Sequence, residues 1–247
     1  MKFLCPDCGR EEEIIGDRSP RCRFCRVEMI PPSGYSEWWI SPCFAIDRMR
    51  KISETYGIYR ARKEGRFKKE REAWTTAMLA LALMKLTGQE WWIEIETVGN
   101  TPDTKLQRID QSPGGNIIQT YEIEVVDWEK NVDNIMDVIR KKCARAYPSK
   151  YLLLVNARNS GKLLDFDQVI EEMKTLRSPF LEVWIVASIG PVTKVVRVAP
   201  AQPFVDLERA DFENASKQKS FLRRGTRSMS SEFKNLGLVY MPIPRGD

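Results

Sequence analysis

The sequence predicts an α/β sandwich built on a mixed sheet, preceded by a small metal-bound module. Three observations predict it. Between residues 66 and 188 the helical and strand patterns run in the order α-β-β-β-α-β-α-β. Residues 151–156 and 181–188 are apolar runs without polar alternation, the mark of strands covered on both faces. Two Cys-x-x-Cys knuckles, Cys5/Cys8 and Cys22/Cys25, stand thirteen residues apart at the N-terminus.

The knuckles come first in the chain. The opening residues Met1-Lys2-Phe3-Leu4 carry no signal-peptide hydrophobic stretch, and no apolar run reaches transmembrane length. The expectation is a cytoplasmic protein away from membranes, in which paired cysteines stay reduced and act as ligands. Gly9 permits the positive φ that a metal-wrapping turn often needs. Phe3, Ile14, Ile15, Phe24 and Met29 offer a core too small to hold itself, so metal binding supplies the folding energy. Residues 1–34 thus resemble a zinc ribbon with a structural Zn²⁺ on Cys5, Cys8, Cys22 and Cys25. Rubredoxin-like iron and an iron–sulfur cluster are the competing occupants of a four-thiolate site. Cys43 and Cys143 have no Cys-x-x-Cys partner and read as buried apolar residues.

Pro31-Pro32-Ser33-Gly34 reads as a hinge, and residues 35–65 as a linker and docking segment whose Trp38, Trp39, Phe44 and Ile46 need a surface to pack on. Residues 66–87 form a helix with two apolar stripes, Trp74/Met78/Leu81 and Leu79/Leu83/Leu86, stopped by Gly88. Strands follow at 91–98, 105–109 and 121–128, joined by the turns Gly99-Asn100-Thr101-Pro102 and Ser112-Pro113-Gly114-Gly115-Asn116. Val132, Ile135, Met136, Ile139 and Cys143 share one face of the next helix, which ends near Pro148. The strand at 151–156, a helix at 165–176, the strand at 181–188 and a further strand at 193–198 complete a core spanning 66–200. Residues 201–247 read as a basic C-terminal extension with Lys217, Lys219, Arg223, Arg224 and Arg227.

Composition excludes several chemistries. The 247 residues contain no histidine, which removes Ser-His-Asp and Cys-His catalysis and any His-ligated catalytic zinc. No GxxxxGK[ST] loop is present, so a P-loop nucleotide site is unsupported. Net charge is only +5, but it is clustered: Arg60, Arg62, Lys63, Arg66, Lys68, Lys69 and Arg71 lie within twelve positions, with Phe67 among them and Tyr59 just before them. Such a cluster suits the phosphates of a nucleic acid, with a solvated helix face as the plain alternative.

Three acids stand out against this background. Asp103 follows Pro102 at the start of the second strand. Glu122 and Glu124 share one face of the third, because side chains alternate with period two. Two carboxylates on one face of a core strand need compensation, and Mg²⁺ or Mn²⁺ held by one or two carboxylates plus water and phosphate oxygens provides it. Glu94 and Glu96 show the same alternation on the first strand, so one of the two pairs is expected on the wet face of the sheet.

Helix, strand, turn, Pro-Asp, strand, hairpin, Glu-x-Glu strand, helix and buried strand, over about residues 66–160, resemble the PD-(D/E)xK (restriction-endonuclease-like) nuclease superfamily. That group includes restriction endonucleases, Holliday-junction resolvases and transposon end-cleaving nucleases. The resemblance implies a metal-dependent DNA endonuclease with Asp103 and Glu122 as metal ligands, and with Glu72, ahead of Glu70, as a further acid on the first helix. Glu124 stands where the family usually has lysine, with Lys105 a possible source of the missing charge. Two alternatives remain open: a nucleic-acid-binding subunit that keeps the fold without the chemistry, and a zinc-ribbon adaptor that binds protein.

Elemental analysis of protein purified without added metal should find one zinc per chain. Cys5→Ser or Cys22→Ser should release it and leave the main domain folded. Tight metal retained after replacement of all four knuckle cysteines would exclude the Cys₄ assignment.

Overall fold

The computed structural model describes residues 2–4, 11–13, 23, 38–95, 102–112, 115–129, 132–147, 150–157, 164–189, 192–218, 221–223 and 238–241. Strands β1 (Lys2–Leu4) and β2 (Glu11–Glu13) pair antiparallel as a separate ribbon. The four knuckle cysteines lie outside the described residues, as do Glu96, the turn at 99–101 and Pro113-Gly114.

The remaining strands form one mixed sheet flanked by helices on both faces. Its strands are β3 (Trp38–Ile40), β4 (Trp91–Ile95), β5 (Thr104–Ser112), β6 (Gly115–Trp128), β7 (Tyr151–Ala157), β8 (Glu182–Ile189), β9 (Val192–Ala199), β10 (Ala201–Leu207), β11 (Phe221–Arg223) and β12 (Leu238–Met241). Their spatial order is β10-β9-β8-β7-β6-β5-β4-β3-β11, with β12 pairing the first half of β6. Strands β4, β5 and β6 form an antiparallel meander, whereas β6, β7 and β8 run parallel. The parallel pairs require crossovers, which helices α4 (Ile135–Cys143) and α5 (Phe166–Thr175) supply.

Two cores follow from the alternation along the central strands. Leu152 and Leu154 of β7 point to one face and meet Ile93, Leu106 and Ile123 beneath helix α3 (Lys68–Thr87). Leu153 and Val155 point to the other and meet Ile139 of α4 and Val169 of α5. This double burial is why residues 151–156 carry no polar alternation. Helix α3 buries almost every side chain from Thr75 to Ala82, because neighbouring elements cover it on several sides. It ends at Gly88, whose φ of +67° is left-handed and whose N–H caps Met84 O.

Strands β5 and β6 extend beyond their sequence-based limits, because they pair continuously from Thr104↔Ile123 to Ser112↔Gly115, whereas β4 is described only to Ile95. Residues 35–65 do more than link. Trp39 and Ile40 are buried in β3, which adds to the sheet beside β4. Helix α1 (Pro42–Tyr56), capped by the Ser41 hydroxyl accepting from Phe44 N–H, packs Phe44 and Ala45 into the α3 core. Helix α2 (Ile58–Lys63) and a 3₁₀ turn (Gly65–Phe67) lead from α1 into α3. Past residue 200 the sheet continues through β10, and helix α6 (Arg209–Ala215) packs Ala215 into the same core. No helix among the described residues is long and apolar enough to cross a membrane.

Candidate functional site

Helix α3 is fixed to the sheet by buried hydroxyls. The Thr76 hydroxyl donates to Glu72 O at 2.9 Å, one turn back, and lies 2.7 Å from the Thr104 hydroxyl at the start of β5. Thr75 accepts from the Asn156 amide of β7 at 3.2 Å, and the same amide donates to Asp127. Glu72 precedes Thr76 by one turn and Asp103 precedes Thr104 by one residue, so this hydroxyl contact brings the two acids to the same end of the sheet.

Asp103 is held by the third strand. Its N–H donates to Ile123 O at 3.0 Å, and its Oδ2 accepts from Val125 N–H at 3.0 Å. It therefore straddles the position of Glu124. Its other oxygen, Oδ1, faces two lysines of α3, Lys68 Nζ at 3.9 Å and Lys69 Nζ at 4.0 Å. The same two ammonium groups pair with Glu72, Lys68 to Oε1 at 3.2 Å and Lys69 to Oε2 at 3.1 Å. Glu72 and Asp103 thus share two cations at one place.

Glu72 is the tensest group of this site. It is only 5% exposed, and neither carboxylate oxygen has an aligned hydrogen-bond donor. The lysines compensate it by charge and by ammonium contacts at 3.1 and 3.2 Å that are poorly aligned. Burial, and then the nearby charge of Asp103, push its pKa above the ordinary carboxylate value against the opposing pull of Lys69 and Lys68. Lys68 is raised in turn, chiefly by Glu72 with smaller contributions from Asp103 and Glu124, so it stays cationic.

Glu124, 4% exposed, accepts from Tyr147 at 3.2 Å and pairs with Lys142 of α4, while its second oxygen is buried without a partner. Glu122 lies on the same strand face but pairs at 3.0 Å with Lys150, an exposed residue just before β7. The acid nearest Asp103 on the third strand is therefore Glu124, whereas the sequence singled out Glu122 as the second ligand. Glu94 is not on a wet face. It is 5% exposed and bonded by Gln107 at 2.8 Å, with Lys105 at 3.2 Å. Lys105, considered as the missing cation, is thus committed to Glu94, and the ammonium groups beside the acids come from Lys68, Lys69 and Lys142. Among the described residues no three Asp, Glu, Cys or His side chains stand close enough to cage a metal.

Comparison of the chain with protein-family models, curated proteins and solved structures finds no match.

The basic segment divides by role. Arg71 bonds Ala61 O and Glu64 O at 3.2 and 2.7 Å and clamps α2 to α3. Arg66 pairs with Glu64 and stacks on Tyr56 and Phe67, Arg60 reaches Glu64 at 3.8 Å, and Lys63 pairs with Glu129. Arg62 is exposed on α2 and reaches none of these acids. Lys68 and Lys69 belong to the acidic site. Tyr59, 78% exposed, and Ile58 stand out from the same corner. Cys43 and Cys143 are half-buried, and burial pushes both thiols up, Cys43 to about 11, which disfavours a metal-binding thiolate.

Hydroxyl spacing was the signal that sequence reasoning missed. Thr75, Thr76 and Thr104 look like ordinary β-branched residues in the sequence, yet they set the position of both acids. Lys142 and Tyr147 carried no signal, because only the folded α4–β6 contact gives them a role.

A carboxylate with a raised pKa binds its proton more tightly in the folded state. That contribution to stability is complete below the unfolded value and is lost as pH rises through the folded one. In chelator-treated buffer, the melting temperature of Glu72→Gln relative to wild type should therefore climb as pH rises from about 4.5 to 7. A constant or shrinking difference in thermal melts would show that the lysines fully compensate Glu72.

Proposed function

We propose that the chain is a metal-dependent endonuclease that hydrolyses phosphodiester bonds of nucleic acid, DNA in the first instance. The observation that carries this reading is the meeting of Glu72 and Asp103, from a helix and from a Pro-Asp turn, over two shared lysines. The elements α3-β4-β5-β6-α4-β7 also occur in the order on which the resemblance to PD-(D/E)xK nucleases rests. Support comes too from stability: a buried acid held without an aligned donor destabilises the fold, and such groups concentrate where chemistry needs them.

The residues fit a divalent cation. Carboxylate oxygens are the hard donors that Mg²⁺ and Mn²⁺ prefer, and Mg²⁺ commonly takes only one or two of them, filling its shell with water and phosphate oxygens. Glu72 and Asp103 would hold it. Bound there, the ion would polarise the phosphate and ease deprotonation of an attacking water. Lys68, kept cationic by three surrounding acids, would sit against the phosphate and offset charge on the leaving sugar oxygen. Glu124, fixed by Tyr147 and Lys142, would orient the water and accept its proton as the new P–O bond forms and the P–O bond to the sugar breaks. Lys142 would take the part of the cation that the family usually carries at position 124. Arg60, Arg62 and Lys63 would meet flanking phosphates from the exposed corner.

A second reading, a binding subunit without chemistry, is favoured by Glu124 itself, which stands in place of the usual lysine and is already paired.

Plasmid nicking with Mg²⁺ or Mn²⁺ separates the two. Asp103→Asn and Glu72→Gln should each reduce cleavage more than about 100-fold. Binding measured in chelator should be unchanged or tighter, because each change removes negative charge near phosphate. Glu94→Gln should cut normally. Binding without cleavage by wild type on single-stranded, duplex and branched DNA would favour the second reading, and loss of cleavage in Glu94→Gln would place the chemistry on the wrong strand.

A further inference from the structure

Lys69, one of the two lysines shared by the acids, also lines a cavity of about 210 Å³ among residues of α1, α3 and β4. Phe44 and Ile95 give it an apolar wall, and Arg48, Arg66 and Glu70 join Lys69 in bringing charge to it. Arg48 is the informative member. Its side chain is only 17% exposed, its nearest carboxylate oxygen, on Glu70, is 3.8 Å away, and its buried Nε has no hydrogen-bond partner. That long contact leaves the guanidinium with donors to spare for a ligand in the cavity. The volume lies below the roughly 300–1,000 Å³ of sites for drug-sized molecules, which suits a single ring system. An apolar wall beside one donor and one acceptor matches a planar heterocycle with a hydrogen-bonding edge better than it matches a bare anion.

We propose that this cavity receives one unpaired nucleotide of the substrate strand. Its base lies along Phe44 and Ile95, with its edge read by the Arg48 guanidinium and the Glu70 carboxylate. Its phosphate is drawn by Lys69 and Arg66 toward the acidic pair. The inference rests on the nuclease reading and deepens it, because it names a strand with an unstacked nucleotide beside the cut, rather than continuous duplex, as the substrate class. Bases inside a duplex are stacked and paired, so an unpaired one turns into such a cavity at the least cost.

The test measures binding by the full chain in chelator, so that cleavage plays no part. The probes are a fully paired DNA duplex and the same duplex carrying one unpaired 2-aminopurine nucleotide. Wild type should prefer the unpaired probe by about tenfold, within what one well-seated base contributes, and the 2-aminopurine emission should change on binding. Arg48→Met keeps the aliphatic stem but removes the guanidinium, and with its thermal melt matched to wild type it should bring the preference below about twofold without altering affinity for the paired duplex. Arg66→Ala, at an exposed position, should weaken binding of the unpaired probe more than that of the paired one. Equal affinities in wild type, or an undiminished preference in both variants, would overturn the proposal. Equal affinities together with metal-dependent cleavage would remove the nucleotide cavity and leave the nuclease reading standing. A preference for the unpaired probe in a protein that cuts nothing would do the reverse.

Discussion

The site depends on one constraint: a carboxylate, Glu72, buried at the sheet-facing start of helix α3 and compensated only by two lysine ammonium groups. Both of its oxygens lack an aligned donor, and a second acid, Asp103, raises the cost of ionising it. Such a group would be poorly chosen for stability, since a well-packed apolar side chain in its place removes the desolvation cost. The surrounding structure nevertheless fixes it. Thr76, one turn on, joins Thr104, and Asp103 is bound through both its backbone and its side chain to β6. The acids are fixed in place by these bonds while their charge is left incompletely satisfied, as the proposed cation site requires.

The sheet explains why this end of the molecule carries the acids. β6 pairs antiparallel with β5 along most of its length and parallel with β7 over its second half. The strand that presents Glu124 is therefore locked on both sides, with α3 over one face and α4 over the other. Lysines from both helices, Lys68 and Lys69 from α3 and Lys142 from α4, come to the same group of acids. Their long, flexible side chains can withdraw when a stronger cation or a phosphate arrives, at little cost in packing.

Much of the fold was legible because periodicity reports burial. The unalternating runs around residues 153 and 185 are strands with helices on both faces, and the wide apolar face of α3 reflects cover on several sides. The elements missed share a physical cause. β3 is only three residues long, and α1 spaces its buried Ala45, Met49 and Ile52 at helical intervals but interleaves them with charges. β10 contains Pro203 and exposes Phe204, which breaks the strand pattern. At the site, Asp103 and Glu72 were marked by the Pro-Asp turn and by position on the first helix. The choice between Glu122 and Glu124 was invisible, since both share a face and only the bonds of the Asp103 N–H to Ile123 O and of Val125 N–H to the Asp103 carboxylate distinguish them. The alternation of Glu94 suggested solvent, but Gln107 and Lys105 make it a satisfied buried acid.

The central claim is that Glu72 and Asp103 together form a divalent-cation site from which the lysines can be displaced. Crystals grown in chelator and soaked with Mn²⁺ test it most directly, through the anomalous signal of the metal. The account predicts a peak bonded to oxygens of both Glu72 and Asp103, with Lys69 moved away from the Glu72 carboxylate. A map without density there, with both lysines still seated on Glu72, would contradict it.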